Sequence, residues 1–527
     1  MNLPVWVRRL LVSVLVPAML AGCRAMSPIG AIPSATAMPM GAAAKPDDDL
    51  REPPVVQAKG GVAKVDLVVA MDFFTHFPTF VYKGLYNVAP TINIRPGDTI
   101  VVNLYNALPN ASPPEPMQMP GDQMQPAPAP TSMELDANLH FHGLNVSPKA
   151  PSDDVLTMLA LPGGKLRYVV HVPATQEPGL YWYHTHVHGE TSYQVGQAGM
   201  SGAIIVEGIE KHIPALARMK QRLLIVRDTG KGTDSARPDV PNPDPCGEDP
   251  GLVTVDNVLR PVIRIAPGER QFFRLVNATG HKTLKLRVPG EQLEVVAIDG
   301  FALDSFPGTP PTMKEESIIV PPAARAEFVV TGPANGSAKF KSLCYNSGPD
   351  GDRDPEVELV VLQAPPGALR PYPPGPALTV GEPLPANGYT SPLPPIAAKR
   401  LVVFSEGPKH FFINGKTFRP NAPPMFLVHV GTVEQWHIVN VTDEIHDFHI
   451  HQVHFYVEYI NGVKVAHPYW ADSVVLPHRL SKHKNSKPGS IIAIMDFRDP
   501  VIKGTFLFHC HFLDHEDKGM MAKIQAI

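Results

Sequence analysis

The sequence has little charge of either sign and almost no net excess. Lys and Arg number 46 against 50 Asp and Glu, which gives a net charge of −4, and charged residues make up only 18% of the chain. Because nucleic-acid binding relies on a basic surface, this balance predicts no nucleic-acid partner. With 44% hydrophobic residues the chain is not disordered as a whole. Its 527 residues, roughly three times the length expected of one domain, are enough for several cores.

Long apolar runs are also lacking, and long helices are not expected. The most apolar run, residues 10–20, is too short to span a bilayer. Pro (60) and Gly (41) together make up about a fifth of the chain, and this disfavours long helices and favours short strands joined by turns. The composition therefore predicts an all-β fold.

The apolar run has the surroundings of a secretory signal. It follows Arg8 and Arg9 and ends in a Leu-Ala-Gly-Cys sequence at Cys23. That end resembles the lipobox of bacterial lipoproteins, so we interpret residues 1–23 as a lipoprotein-type signal peptide with lipidation of the Cys23 thiol; a plain signal peptide is the alternative. We expect export to the periplasmic side of a bacterial membrane, anchored only by lipid, by the general or the twin-arginine route.

Cysteines are scarce, and only two of the four remain for a disulfide. Cys23 belongs to the lipobox-like end and Cys510 to a metal-like motif, which leaves Cys246 and Cys344. These two either pair in the oxidising compartment or remain as free buried thiols. A bridge between them would close a loop of nearly a hundred residues and add at most about 4–5 kcal/mol to stability in the chain-entropy model.

Three segments of the chain repeat one pattern. In each, a turn glycine is followed nine residues later by an asparagine, with β-branched or aromatic strand residues between them. The glycines are Gly97, Gly268 and Gly431, 171 and 163 residues apart. The equal internal spacing predicts three similar β-domains. Their predicted ranges are residues 61–210, 218–364 and 398–527.

Composition also marks the segments outside these domains. Residues 365–397 are predicted to be a linker that spans rather than packs, because residues 365–395 hold eleven prolines. Residues 24–60 are rich in Ala, Pro and Met and are expected to form a flexible tether. Residues 109–133, with eight prolines and four methionines, are expected to form a mobile surface loop of the first domain.

Histidines are paired far more often than chance predicts. The 22 histidines would give about one His-x-His pair by chance, and five are present. On a strand, residues i and i+2 face the same side, so each pair directs two imidazoles to one place, as in a metal site. The clusters are His140/His142, His184/His186/His188, His446/His449/His451, and His509/Cys510/His511 followed by His515 and Met520.

The distribution of the pairs predicts an interdomain site. The first domain supplies two pairs of ligands, the third supplies two, and the second supplies none. We therefore expect a site between the first and third domains, with the middle domain as a spacer. Eight imidazoles exceed the four ligands of one zinc ion, and three metals fit them better.

A different kind of site is expected around Cys510. Strand alternation turns its thiol away from the two flanking histidines, so it faces a second centre. With His446 and His515 it gives the His₂Cys set of a blue-copper centre, and Met520 is the expected axial ligand, with Met521 as a competitor. Thr185 stands at the equivalent position of the first domain, which excludes a second such centre there.

The four clusters, with Met520 ten residues after Cys510, resemble the copper-binding signatures of three-domain multicopper oxidases, the laccase-like and bacterial cuprous oxidase group. The resemblance covers the chain from about residue 61 to its end. It implies three consecutive cupredoxin-like Greek-key β-sandwich domains, the second without copper, and four copper ions. The implied type 1 ligands are His446, Cys510, His515 and Met520. The implied type 2 ligands are His140 and His449, and the implied type 3 ligands are His142, His184, His186, His451, His509 and His511.

The resemblance also implies the activity. One-electron oxidations of a reducing substrate would be coupled to the four-electron reduction of dioxygen to water. Glu516 and Asp153 match the acids that relay protons in similar oxidases, and Asp154 is a competitor for Asp153. His188 and His454 extend the clusters, but the family pattern leaves both unligated.

The chain departs from the family pattern in one place. The third signature usually has Pro after its first His, and this chain has Asp447. A carboxylate there is expected to stabilise Cu(II) over Cu(I) and lower the reduction potential. Asp443 and Glu444, just before His446, either guide a cationic reductant or form a solvated turn.

The reductant is either a phenol or aromatic amine, or Cu(I). The methionines of residues 117–133 favour Cu(I), because soft thioethers suit that ion; a simple spacer is the alternative for this loop. A copper-binding or copper-sequestering envelope protein or scaffold without turnover is the alternative function, against which the complete ligand set argues. Because both halves of the site occur in one chain, we expect a monomer.

Overall fold

The computed structural model describes residues 48–73, 75–109, 135–228, 246, 251–352, 354–367, 372–373, 375–384, 389, 392–480 and 486–527. The signal segment 1–23, most of the predicted tether and the methionines of residues 117–133 lie outside these residues. The described part of the chain is built mainly of strands, as the composition predicts. None of the helices in that part is long and apolar enough to cross a membrane.

The first block of strands forms two five-stranded sheets. Its strands are β1 (Val55–Gln57), β2 (Val62–Met71), β3 (Pro78–Tyr82), β4 (Leu85–Tyr86), β5 (Thr91–Ile94), β6 (Thr99–Asn106), β7 (His140–His142), β8 (Lys165–His171), β9 (Gly179–His184) and β10 (Ser201–Val206). The sheet orders are β1-β5-β10-β9-β7 and β4-β3-β2-β6-β8. In β2, apolar residues at alternate positions are buried in the core between the sheets, as the two-residue period of a strand requires.

The second block repeats this arrangement. Its strands are β11 (Lys220–Arg227), β12 (Thr254–Val255), β13 (Val262–Arg264), β14 (Arg270–Asn277), β15 (Leu284–Arg287), β16 (Leu293–Ile298), β17 (Phe301–Ala302), β18 (Met313–Glu315), β19 (Ile318–Val320), β20 (Arg325–Thr331), β21 (Ser337–Leu343) and β22 (Val357–Gln363). The sheet orders are β12-β11-β14-β20-β16-β17, with β18 paired to β16, and β13-β22-β21-β15-β19.

The third block closes the chain. Its strands are β23 (Ala398–Glu406), β24 (Phe411–Ile413), β25 (Phe426–Val428), β26 (Thr432–Asn440), β27 (His446–Ile450), β28 (Phe455–Ile460), β29 (Val463–Lys464), β30 (Ser473–Leu476), β31 (Gly489–Phe497), β32 (Gly504–Cys510) and β33 (Met521–Ala526). The sheet orders are β24-β23-β26-β31-β28-β29 and β25-β33-β32-β27-β30. Within the described ranges the short helices are α1 (Ile209–His212) and α2 (Leu513–Asp517), a π-helical turn (Ser192–Gln197) and 3₁₀ turns (Leu216–Arg218, Leu303–Ser305, Pro500–Ile502).

The three blocks share one topology. The strand of the sequence repeat, β6, β14 or β26, pairs parallel with the first long strand of its own block and antiparallel with a later one. In the other sheet, β7 and β9 of the first block correspond to β15 and β21 of the second and to β27 and β32 of the third. The repeat found in the sequence therefore predicts the repeat of the fold.

The glycine and asparagine of the repeat have the same structural roles in every block. The glycines have φ angles of +92°, +74° and +89°, which favour glycine in the turn before each strand. The asparagines, Asn106, Asn277 and Asn440, are buried. In each, Oδ1 accepts the N–H two residues later and Nδ2 donates to backbone carbonyls, which fixes the loop that follows the strand.

Two predictions about the connecting segments need correction. Residues 55–57, assigned to the tether, form β1, which pairs parallel with β5; three residues are too short a pattern to reveal a strand. The linker packs as well as spans, because Leu378 and Tyr389 are each only 8% exposed. The Tyr389 hydroxyl accepts a 2.7 Å hydrogen bond from Nδ2 of Asn145, and its ring lies 4.9 Å from that of Trp470.

Cys246 and Cys344 form a disulfide with their Cα atoms 5.3 Å apart, which settles the alternative left open by the sequence.

We expect the Cys246→Ser/Cys344→Ser variant to lose up to about 4 kcal/mol of stability. Without the bridge, the two positions, which are 98 residues apart in the sequence, are no longer held together in the unfolded chain, and that chain gains conformational freedom. Thermal unfolding of this variant and of reduced wild type checks this. Equal unfolding temperatures in oxidised wild type and variant would contradict it.

Candidate metal centre

The paired histidines lie on equivalent strands of the first and third blocks. His140 stands directly opposite His184 in the β7–β9 pair, and His449 stands opposite His509 in the β27–β32 pair. The corresponding strands of the second block, β15 and β21, carry no histidine. The shared topology therefore directs both sets of imidazoles to one interface between the first and third blocks.

The structure brings together the eight histidines predicted to ligate the interdomain cluster. They form sets of three whose ligand atoms lie within 4.8 Å of one another. Two sets share no residue and combine both blocks. These sets are His142/His184/His511 and His186/His451/His509. A further set, His140/His142/His449, lies beside them. The predicted type 3 ligands thus divide into two groups of three, a division that the sequence does not reveal.

The chemistry of these donors fits metal ions. All eight imidazoles are at most 1% exposed, and burial lowers the pKa of most of them, that of His449 to about 3. Neutral imidazole is the form that binds metal. Among the described residues, Nε2 of His140, His184 and His449 and Nδ1 of His142 are buried without a hydrogen-bond partner. Unpaired lone pairs of this kind suit copper or zinc.

Hydrogen bonds to the second ring nitrogen orient several of these imidazoles. The acceptors are a carboxylate for His140 and backbone carbonyls for three others, and a bond of this kind fixes the tautomer and leaves the opposite nitrogen as the donor to metal. The contacts are His140 Nδ1 to Asp153 (2.9 Å), His184 Nδ1 to Thr185 O (2.8 Å), His449 Nδ1 to Asp472 O (2.8 Å) and His509 Nδ1 to Cys510 O (3.0 Å).

The two predicted relay acids both lie at the cluster. The Asp153 carboxylate also accepts bonds from the backbone N–H of Phe141 (2.9 Å) and from Nε2 of Gln452 (2.5 Å). The competitor, Asp154, instead binds Thr157 and the local backbone. Glu516, on α2, is 2% exposed and lies 3.1 Å from Nδ1 of His509.

The His₂Cys set expected around Cys510 is also assembled. The Nδ1 atoms of His446 and His515 are 3.1 Å apart, and Sγ of Cys510 lies 3.7 and 3.8 Å from them. Met520 packs in the same hydrophobic cluster as Cys510, whereas Met521 belongs to a different cluster. The thiol therefore faces one centre while the flanking histidines face the other, as strand alternation predicts.

The surroundings of Asp447 oppose the anion expected there. Its carboxyl group is fully buried, and burial together with Asp299 and Asp472 raises its pKa well above the usual value, which favours the uncharged form. The backbone N–H of Asp447 is 3.5 Å from Sγ of Cys510 and donates to it. Because Pro has no N–H, this bond is the chemical consequence of the departure from the family pattern.

Sequence reasoning missed Asp472. Its carboxylate lies 3.1 Å from Nε2 of His142 and is bound by Arg325 of the second block, with Arg325 Nη2 and Asp472 Oδ2 2.6 Å apart. The middle block is therefore more than a spacer. Neither residue lies in a histidine cluster, and their distance of 147 residues along the chain gives no sequence signal.

Glu444 also differs from the solvated-turn interpretation. It is only 8% exposed, and Oε1 lies 3.4 Å from Nε2 of His515. Asp443 instead lies 3.9 Å from Arg479. Of the other histidines, His188 is half-buried with its ring against that of Phe418, and Nε2 of His454 lies 3.3 Å from Asp472. None of the ligand sets named above includes either histidine.

Comparison with known proteins agrees with this architecture. Three family descriptions of multicopper oxidase match residues 132–211, 182–354 and 392–526. Multicopper oxidase mco of Staphylococcus aureus is 24% identical over 84% of this chain and 85% of its own. The laccase of Bacillus subtilis is 25% identical over 84% and 88%. The chain belongs to the multicopper oxidase family and is an oxidoreductase that uses oxygen.

Solved structures of similar fold support the same architecture. A Campylobacter jejuni multicopper oxidase, described as a metallo-oxidase, has a TM-score of 0.70 at 20% identity and covers 92% of this chain and 96% of its own. McoA of Aquifex aeolicus has a TM-score of 0.67 at 20% identity, with 91% and 99% covered. The expected fold class of three consecutive cupredoxin-like sandwiches is confirmed.

The Asp447 hydrogen bond has a measurable consequence. Asp447→Pro removes the N–H and should lower the potential of the blue-copper centre expected at Cys510 by up to about 60 mV, a tenfold change for one electron, because an unbonded thiolate would donate more strongly to copper. Asp447→Asn keeps the N–H and should leave the potential close to the parent value. Redox titration of the blue absorption measures both, and a raised potential in Asp447→Asn would show that the carboxyl group is charged instead.

Proposed function

We propose that the protein holds four copper ions in the arrangement implied by its family resemblance. His446, Cys510, His515 and Met520 would hold the type 1 ion. His140 and His449 would hold the type 2 ion, and the sets His142/His184/His511 and His186/His451/His509 would each hold one type 3 ion. When bound, the copper ions supply one-electron oxidation of a reductant and four-electron reduction of dioxygen to water. The grouping of buried, unpaired imidazole nitrogens is the observation that carries this proposal.

The protein's own residues supply connection and protons. Cys510 joins the two centres covalently, since its thiol faces His446 and His515 while the adjacent His509 and His511 belong to the three-copper cluster. Glu516 lies 3.1 Å from His509 and is nearly buried, and so is placed to hold a proton next to that cluster. Asp153, bound to His140 at Nδ1, orients that imidazole.

The reductant that fits best is a metal cation, with Cu(I) as the candidate from the sequence. Three further carboxylates accompany Glu444 near the outer edge of His515. The carboxylates of Asp514, Asp352 and Glu406 each raise the pKa of His515, whereas burial has the larger effect and lowers it overall. Glu444 forms a carboxyl–carboxyl hydrogen bond with Glu406, and burial and this neighbour raise its pKa well above the usual value. Two adjacent carboxyl groups supply oxygen ligands that a cation can occupy.

The relatives allow either class of reductant. The curated relatives include laccases, and the Campylobacter jejuni structure is described as a metallo-oxidase. The carboxylates around His515, which we call the carboxylate rim, are those of Glu444, Glu406, Asp352 and Asp514. They favour a cation over a neutral phenol or amine as reductant, because negative charge raises the local concentration of cations. The methionines of residues 117–133 suit Cu(I), but they lie outside the described residues.

The role of the carboxylate rim is tested by replacing two of its carboxylates with amides. We expect Glu406→Gln/Glu444→Gln to reduce kcat/KM for Cu(I) or Fe(II) about tenfold or more, a loss of roughly 1.4 kcal/mol in binding the cation. Oxidation of 2,6-dimethoxyphenol should change less than twofold. Oxygen uptake with each reductant measures this.

Glu458→Gln is the matched control for this test. It removes a carboxylate from β28, where Glu458 lies 3.4 Å from Gln435 rather than beside His515. Equal losses for metal ion and phenol in the Glu406→Gln/Glu444→Gln variant, or an equal effect of Glu458→Gln, would exclude a cation site at the rim.

We also propose that the mature protein is a monomer exported to the periplasmic side of a bacterial membrane and anchored by lipid on Cys23. The lipobox-like sequence supports the anchor, and the presence of both halves of the metal site in one chain supports the monomer. Cys23→Ala should move the protein from the membrane fraction to the soluble fraction without changing its activity. Retention of that variant in the membrane fraction would contradict lipid anchoring.

A further inference from the structure

We propose that Arg325, in the middle block, is a positioning residue for the three-copper cluster: it holds Asp472 where that residue orients His142 and His449. This inference rests on the proposed function, because it assigns a role toward copper ions at the two imidazoles. It gives the copper-free middle block a part in building the oxygen-reducing site.

Arg325 makes an unusually complete set of contacts for a buried side chain. It is 0% exposed, and it binds Asp472 with both arms of its guanidinium group, at 2.7 Å from Nη1 and 2.6 Å from Nη2. Nη2 also donates to Asp299 O (2.8 Å), and Nε donates to Leu180 O (3.3 Å). A two-pronged contact of this kind fixes the direction as well as the position of the carboxylate.

Asp472 in turn contacts imidazoles from two blocks. Its Oδ1 lies 3.1 Å from Nε2 of His142, and its backbone carbonyl lies 2.8 Å from Nδ1 of His449. In both imidazoles the other nitrogen is buried and unpaired in the described structure, and both residues belong to the set His140/His142/His449. An acceptor on one ring nitrogen sets the tautomer that leaves the other nitrogen free for metal.

The first block is shaped to admit this ion pair. Gly143, which follows His142, has φ +83°, and a Cβ atom there would collide with Nη2 of Arg325 and lie 2.7 Å from Oδ2 of Asp472. Asp299 completes the contact from the second block, because its Oδ2 accepts the backbone N–H of Asp472 at 3.1 Å. All three blocks therefore meet at Asp472, directly behind His142.

A role limited to stability does not account for this arrangement. Replacing a buried ion pair by apolar residues is often neutral or stabilising, since desolvation of the charges offsets their attraction. What apolar residues cannot supply is an acceptor for Nε2 of His142. The two roles therefore predict different results when the pair is disrupted.

The test compares two buried arginines of the middle block. Arg325→Met removes the contact to Asp472. Arg274→Met is the control, since Arg274 is 1% exposed and pairs with Glu210 and Glu327 instead. We expect Arg325→Met to weaken binding of the type 2 and type 3 copper ions 10–100-fold, the range typical of lost outer-shell contacts. The blue absorption of the type 1 ion should persist, and Arg274→Met should retain all four ions.

Copper content during titration with a chelator, together with the type 2 electron paramagnetic resonance signal, measures the effect. Arg325→Lys keeps the positive charge but cannot make the two-pronged contact with Asp472, so it should weaken copper binding less than Arg325→Met. If Arg325→Met does not fold, Arg325→Lys is the variant that tests the proposal. The positioning role would be overturned if either soluble Arg325 variant bound copper at the three-copper cluster as tightly as the parent protein does. It would also be overturned if Arg325→Met lost copper equally from the type 1 centre and from the cluster. A parent protein without a three-copper cluster would instead contradict the proposed function.

Discussion

Close burial of eight imidazoles at one interface is the constraint on which the structure depends. Charged imidazoles would repel one another there, and burial lowers the pKa of most of them, which favours the neutral form of those rings. Their unpaired nitrogens would be costly in a metal-free core. Bound metal ions turn that cost into stabilisation, since a ligand held only by the folded state shifts the folding equilibrium.

The repeated topology explains how one chain meets this constraint. Because β7 and β9 of the first block correspond to β27 and β32 of the third, the same turn and strand pattern presents two facing pairs of imidazoles. The corresponding strands of the middle block carry no histidine, and this block contacts the site through Arg325 and Asp299, which both bind Asp472. The third block thus carries the cysteine centre and half of the imidazole cluster, the first block carries the other half, and the middle block supplies Arg325 to the ion pair behind it.

Much of the three-domain fold and of the metal site could be predicted from the sequence, because both depend on local sequence patterns. The glycine–asparagine repeat reveals three domains, because Asn106, Asn277 and Asn440 make the same hydrogen bonds in every copy. The histidine pairs reveal the metal site, because strand alternation converts spacing into direction. Both are local patterns that a sequence displays directly.

What could not be predicted depends on contacts between distant segments. Asp472 and Arg325 are ordinary residues until the fold brings them together behind His142. The sequence does not reveal that the pKa of Asp447 is raised, because that pKa depends on burial, a property set by packing rather than by the neighbouring sequence. The three residues of β1 are too few for a periodic pattern, and their strand forms only because β5 offers an unpaired edge.

The most direct test of the central claim is the copper content of the purified, copper-loaded protein combined with quantitative electron paramagnetic resonance. We expect four copper ions per chain, of which two are detected, because the ions that His142/His184/His511 and His186/His451/His509 would hold should couple magnetically. One or two ions per chain, or four that are all detected, would show that the imidazoles of the first and third blocks do not form a single cluster.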